Sequence, residues 1–323
     1  MLYPFKFQPI FKERVWGARN LERLYGKSLP ARVPIGESWE ITDRPGDVSV
    51  IANGSLAGRD LHWLMENHAR ELLGNAAALN GRFPLLIKIL DAQDTLSLQV
   101  HPPAAKAAEL KGDPKTEMWF ITEAQPDAAL FVGLRRGVTR AEFERRIGDG
   151  TVAECFHRHG VKAGDAMFLP SGRVHAIGAG NVIFEIQQNS DTTYRVFDWN
   201  RVGLDGKPRE VHVAQSLASI DFDDFEPALE SQRFEQRGEA NVRPVAQCPL
   251  FTAEQFGLAV GNSVPLALQT MHILGVVSGT ITVDGGSEKV SLRAGEFCLL
   301  PASVTARISA ESDASFLRAE AGR

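Results

Sequence analysis

One internal echo constrains this chain more than any other feature. The run GDAMFLP, from Gly164 to Pro170, returns as GEFCLLP, from Gly295 to Pro301, with the same spacing of five residues between glycine and proline. Glycine suits a tight turn, the apolar residues suit a short strand, and proline marks its end. Two copies of such a unit predict two related β regions. Beyond the proline the copies diverge. The first continues through Ser171, Gly172, Arg173 and Val174 to His175, whereas the second reaches Ala306 where the histidine stood. Polar equipment is therefore expected in the first region only.

The rest of the chain reads as strand and turn. Glycine and proline punctuate it, and short alternating runs such as SVIANG, LSLQVH, EMWFIT, VIFEIQ and TYRVFDW recur between them. Helical spacing is confined to residues 60–73, 103–110 and 139–147, the last opened by Thr139 as a cap. Around residues 219–243 the pattern dissolves into IDFDDFEPALESQRFEQRGEANVR, an acidic, proline-bearing stretch. The expectation is a mainly β protein of two units, residues 1–225 with helical insertions and residues 226–323. A length of 323 residues with 44% hydrophobic residues is enough for both cores.

Charge excludes some functions. A formal net charge of -5 and a pI near 5.9 give no basic footprint for nucleic acid or an anionic membrane, so any phosphate must be met locally. The three cysteines, Cys155, Cys248 and Cys298, lie far apart, which fits a reducing compartment, and Cys155 reads as inert filler. No apolar run approaches the roughly 18 residues of a membrane span, and the start MLYPFKFQPIFKERVWG has no long apolar core. A cytoplasmic monomer or homodimer is expected.

Period-two alternation then picks out chemistry. On a strand over residues 96–101, Leu96, Leu98 and Val100 face one side while Ser97, Gln99 and His101 face the other, so Gln99 and His101 can aim at one atom. The same argument gives Lys115 and Glu117 a shared face. His157-Arg158-His159 is a tempting His-x-His, but no glutamate stands downstream at a useful distance and a solvent-exposed strand is expected. Trp16-Gly17 and Glu37-Ser38-Trp39 read as aromatic anchors in the core.

The stretch Gly164-x5-Pro170-x-Gly172-x2-His175 resembles the second conserved motif of the cupin superfamily, in which that histidine ligates a metal inside a jelly-roll β-barrel. The first cupin motif usually reads His-x-His followed closely by Glu. Here Gln99-x-His101 is followed by Glu117 after a proline-rich insertion. That departure, together with GESWEITDRPGDVSVIANG from residue 36, FPLLIKILDAQDTLSLQVHP from 83, KTEMWFI from 115 and VHAIGAGNVIFEIQQNSDTTYRVFDWNR from 174, resembles the short bacterial form of the type I phosphomannose isomerases. The match covers about the first 210 residues, and the C-terminal region, read as a second, degenerate cupin-like barrel, is matched by pattern alone.

The resemblance implies a metal-dependent interconversion of mannose 6-phosphate and fructose 6-phosphate through an enediol. It implies Gln99, His101, Glu117 and His175 as ligands of one zinc per chain. Two imidazoles, a carboxylate and an amide oxygen suit zinc, but manganese, iron, cobalt or nickel would also be tolerated. It further implies that Ser97, Lys115 and Arg195 meet the sugar phosphate, with Arg195 near the reacting carbons or the phosphate. Lys115 and Glu185 are the candidates for moving the proton, unranked; Glu185 could instead pair with Arg195 in a structural role. Two other readings use the same residues: a cupin non-haem metal oxygenase, and a sugar-phosphate binding module without turnover.

Overall fold

The alternating runs form antiparallel sheets, and 43% of the chain is strand against 14% helix. The computed structural model describes residues 1–266 and 269–323. In its first part, a six-stranded sheet runs in the spatial order Ile10–Ala18, Ile35–Ile41, Leu85–Ala92, Asn181–Gln188, Glu117–Ala124, Ala166–Leu169. A five-stranded sheet runs Tyr194–Phe197, Leu98–Val100, His175–Ile177, Ala129–Leu134, Phe156–Gly160. Side chains of both sheets, among them Leu90, Trp119, Leu130, Val132 and Ile177, meet in one apolar cluster, so the sheets pack face to face.

The C-terminal part repeats this plan with a six-stranded sheet, Glu235–Arg237, Ala240–Gln247, Phe251–Leu258, Ala314–Ala321, His272–Ser278, Phe297–Leu300, and a four-stranded one. The two six-stranded sheets share a core. Ile87, Ile89, Met118, Phe184 and Ile186 of the first cluster with Leu274, Phe297 and Phe316 of the second, and the Phe184 and Phe297 rings lie 4.9 Å apart. This contact explains why every residue of Leu85–Ala92 and of Asn181–Gln188 is buried. One face of each strand, with Ile87, Ile89, Phe184 and Ile186, meets the C-terminal part; the other faces the interior of the first part, and Lys88 and Glu185 lie there opposite each other.

The repeated motif matches in register. Gly164 and Gly295 both adopt positive φ, at 91° and 80°, which an L side chain rarely tolerates. Their strands then pair alike, Leu169 with Glu117 and Leu300 with His272. The correspondence extends inward. Glu185 pairs across to Trp119 and Lys88, while Arg318 pairs across to Leu274 and Glu254. The second copy thus carries histidine in place of Glu117, and the Lys88–Glu185 ion pair reappears with its charges exchanged as Glu254–Arg318.

The helices differ from expectation at their edges. Leu61–Leu73 is capped by Asp60, which accepts the Trp63 N–H at 2.7 Å, and Arg140–Asp149 is capped by Thr139. Residues 103–110 shrink to the short helix Ala104–Ala107, and Asn20–Tyr25 and Val213–Ser219 are short helices that periodicity did not show. The first nine residues bridge the two parts, since Phe5 exchanges backbone hydrogen bonds with Leu299 at 2.9 Å while the Gln8 N–H donates to the Val50 carbonyl at 2.9 Å. The stretch 219–243 is a packed strap as far as residue 230: Phe225 bridges to Leu134 and Pro227 covers Gly133. No described helix is long and apolar enough to cross a membrane.

Candidate metal centre and active site

Three of the predicted ligands converge. One donor atom each from His101, Glu117 and His175 lie within 4.8 Å of one another, the one such group among the described residues, and all three side chains are buried. Register places them. His175 opens its strand opposite Gln99, Gln99 lies opposite Arg195 on the next strand, and side chains opposed across neighbouring strands share a face. Glu117 opens a strand of the facing sheet.

Hydrogen bonds fix the tautomers. Nδ1 of His101 lies 2.7 Å from the Thr192 carbonyl oxygen, and Nδ1 of His175 lies 2.9 Å from that of Arg173. A carbonyl only accepts, so each Nδ1 carries the proton and each Nε2 presents a lone pair. Those lone pairs face a carboxylate: Nε2 of His175 is 3.3 Å from Glu117 Oε1, and Nε2 of His101 is 3.6 Å from Oε2. Burial keeps both imidazoles neutral, pushing His101 down to about 3 and lowering His175 as well. Nε2 of His175 and Oε1 of Glu117 are buried without a hydrogen-bond partner. Electron-rich atoms aimed at one another repel unless positive charge lies among them, and this donor set suits a divalent ion.

Lys115 supplies part of that charge, with Nζ 2.8 Å from Glu117 Oε2 and 3.4 Å from His101 Nε2. Burial favours its neutral form, but Glu117 and Glu185 outweigh burial and hold it protonated. Burial would raise Glu117, yet Lys115 keeps it well below the ordinary carboxylate range.

Beside the triad opens a cavity of about 600 Å³, and Ser97, Gln99, Lys115, Glu185 and Arg195 all line it. Glu185 does not pair with Arg195. Its Oε1 accepts the Trp119 indole N–H at 2.8 Å and its Oε2 lies 3.4 Å from Lys88. Burial, then the charge of Glu117, raise its pKa. Arg195 donates from Nη1 to the Glu210 carbonyl at 2.6 Å, while its Nε is buried and unpartnered. Burial, then the charges of Arg209 and Arg201, lower its pKa, as expected for crowded cations.

Sequence reasoning missed several wall residues. Lys88 is 4% exposed in the middle of the apolar run LLIKILDA, and a lysine there was the available signal. Glu37 is no core anchor: it lines the cavity, pairs with Arg14 at 2.9 Å, and accepts the Trp39 indole N–H at 2.6 Å. Trp39 is buried as expected, and Trp16 is both buried and part of the wall. Arg209 also reaches the cavity. His157 and His159 are half-buried, more covered than expected, and do not join the triad. Cys155 is buried and free, its thiol pushed up to about 11 by burial, which suits inert filler.

Fold and site together define an antiparallel β protein with a buried His–Glu–His site suited to a metal ion, beside a cavity of ligand size. The family model for the type I phosphomannose isomerase catalytic domain matches residues 4–117. Mannose-6-phosphate isomerase ManA of Bacillus subtilis is 36% identical over 301 residues, covering 92% of this chain and 93% of that protein. The mannose-6-phosphate isomerase of Streptococcus mutans is 34% identical over 94% of both. The crystal structure of the Bacillus subtilis mannose 6-phosphate isomerase aligns with a TM-score of 0.90 at 29% identity, covering 98% of this chain and 99% of that one. The chain belongs to the type I phosphomannose isomerase family.

Proposed function

We propose that this protein is a metal-dependent aldose–ketose isomerase that interconverts mannose 6-phosphate and fructose 6-phosphate. The observation that carries the reading is the buried His101–Glu117–His175 triad beside a cavity to which Lys115 joins it, and whose polar residues Lys115, Glu185 and Arg195 suit a proton transfer on an anionic sugar. Gln99 completes the ligand set from its place opposite His175, and zinc is the ion this set suits best, one per chain. A divalent ion there polarises the sugar carbonyl and steadies negative charge on its oxygen.

The side chains divide the remaining work. Glu185 is the better placed base, because a carboxylate with a raised pKa, oriented by the Trp119 N–H, can take a proton from one carbon and return it to the next through an enediol. Lys115, held as an ammonium, donates to the substrate oxygen that gains charge. Ser97 and Arg195 bind the sugar phosphate. The fold is proposed as two cupin-like jelly-roll units, residues 1–225 and 226–323. The second lacks a metal because His272 and Ala306 stand where Glu117 and His175 stand in the first. A cytoplasmic setting suits a sugar-phosphate substrate. An oxygenase would make no use of the cationic wall, and a binding module would make no use of Glu185.

Turnover of fructose 6-phosphate in deuterium oxide tests this reading. Mannose 6-phosphate carrying deuterium at carbon 2 is expected. Product without deuterium would mean either a hydride shift or a proton that Glu185 passes on before it exchanges with solvent, and no product at all would remove the isomerase.

A further inference from the structure

The C-terminal part carries a cavity of its own, at the place that matches the catalytic one. We propose that this second cavity binds a small phosphorylated anion without turning it over, through Arg237, Arg307 and Arg318. The inference goes beyond the isomerase reading and does not depend on it.

Register makes the two cavities equivalent. Arg318 lies between Glu254 and Leu274 as Glu185 lies between Lys88 and Trp119. Two residues back along these strands, Phe316 pairs with Phe256 and Ile183 with Leu90, so Phe256 holds the place of Leu90. On the facing sheets Leu266 lies opposite Ala306 as Gln99 lies opposite His175, and Val264 therefore matches Ser97. Leu90, Ser97, Gln99 and Glu185 line the catalytic cavity; Phe256, Val264, Leu266 and Arg318 line one of about 460 Å³ in the second copy. The edge strands agree as well, since Ile10–Ala18 brings Arg14 to the first cavity and Glu235–Arg237 brings Arg237 to the second. Both copies leave an opening between their sheets at the same point.

The chemistry at that point has been exchanged. Leu266, His272 and Ala306 stand where Gln99, Glu117 and His175 stand, so one of these three positions keeps a metal donor, and Arg318 replaces the carboxylate of Glu185. Three guanidiniums, those of Arg237, Arg307 and Arg318, line the cavity against one carboxylate, Glu239, which accepts the Ser263 N–H at 2.6 Å. Glu254 accepts from Arg237 at 2.6 Å and from Arg318, and Glu320 lies 3.3 Å from Arg318. Arg307 meets no carboxylate among the described residues; its Nη1 donates to the Ser263 hydroxyl at 2.9 Å. The Nε of Arg318 is buried with no hydrogen-bond partner among the described residues. Its guanidinium lies 5.1 Å from the centroid of the Phe256 ring, which stacks on Phe316.

Guanidinium N–H groups left over in this way match the oxygens of a phosphoryl group. Phe256, Val264 and Leu266 offer apolar surface to an organic remainder, and the volume falls in the range of roughly 300–1,000 Å³ usual for small-molecule sites. A purely structural role, in which Arg237 and Arg318 only neutralise Glu254, leaves Arg307 unexplained and predicts no anion binding here.

The test is calorimetric titration of the metal-replete protein with inorganic phosphate and with sorbitol 6-phosphate, a sugar phosphate that has no carbonyl to isomerise. Binding of sorbitol 6-phosphate about tenfold or more tighter than phosphate assigns the site to a phosphorylated sugar, whereas equal affinity assigns it to free phosphate. Arg307→Glu is expected to weaken one site for both probes by about 10- to 100-fold, with kcat and KM of isomerisation within about twofold. Arg307 is exposed, so the variant should fold, and an unchanged thermal midpoint checks this. Arg237→Gln should weaken the same site by less, and Arg195→Gln should leave it intact. Equal binding of both probes by wild type and Arg307→Glu overturns the proposal. So does loss of the same site in Arg195→Gln, which would put the anion in the catalytic cavity. A wild-type protein without turnover would sink the isomerase reading and leave this titration untouched.

Discussion

His175→Ala is expected to empty the metal centre and to lower kcat by about a thousandfold or more, since Lewis-acid stabilisation of several kcal/mol is lost and each 1.36 kcal/mol is tenfold. The imidazole is 1% exposed, its tautomer is fixed by the Arg173 carbonyl, and its Nε2 has no partner except the facing Glu117. With that donor gone, His101 and Glu117 remain, together with Gln99 if the proposed ligand set holds, too few charged or imidazole donors to keep zinc against a chelator. Folding should survive, because the backbone pairing of His175 with Gln99 and Val132 needs no side chain. The measurement is metal content by atomic spectroscopy beside kcat on one preparation. A variant that keeps one tightly bound metal per chain would refute the ligand assignment.

Glu185→Gln gives the second large effect through a different route. Glutamine keeps an oxygen for the Trp119 indole and nearly the same shape, but it cannot take a proton, so kcat should fall by about 100- to 10,000-fold while KM changes little. Bound metal should stay at the wild-type level, because Glu185 lies outside the triad. Stability should drop as well: Lys88 loses its carboxylate 3.4 Å away in a buried setting, and an unpaired buried charge costs about 3 kcal/mol. A variant whose kcat stays within tenfold of wild type would transfer the proton-moving role to Lys115. Together the two substitutions separate metal binding from proton transfer.

The converging triad was legible in the sequence through two signals, period-two alternation and the family resemblance. Alternation gave Ser97, Gln99 and His101 a shared face, and the resemblance of the Gly164-to-His175 stretch to a cupin motif added His175. The mainly β character was equally plain from the short runs between glycines and prolines. What alternation cannot tell is which face of a doubly buried strand meets a cavity. Lys88 and Glu185 therefore looked like unrelated charges until the pairing of Leu85–Ala92 with Asn181–Gln188 placed them side by side. Glu37 was hidden by its neighbour Trp39, whose burial dominated the local pattern. Arg209 lies where no periodicity applies, and only the path of the chain back to Arg195 brings it to the wall. The shared core between the two six-stranded sheets, and the reach of Phe5 to Leu299, are long-range contacts with no local signature.

Metal-dependent isomerisation is tested most directly by conversion of fructose 6-phosphate to mannose 6-phosphate by the purified protein, assayed as prepared, after chelation and after zinc is restored, with metal content recorded on each sample. One metal per chain, turnover that disappears with the metal, and recovery on adding zinc are expected. Turnover that persists in metal-free protein, or a fully loaded protein that converts no sugar phosphate, would contradict the assignment.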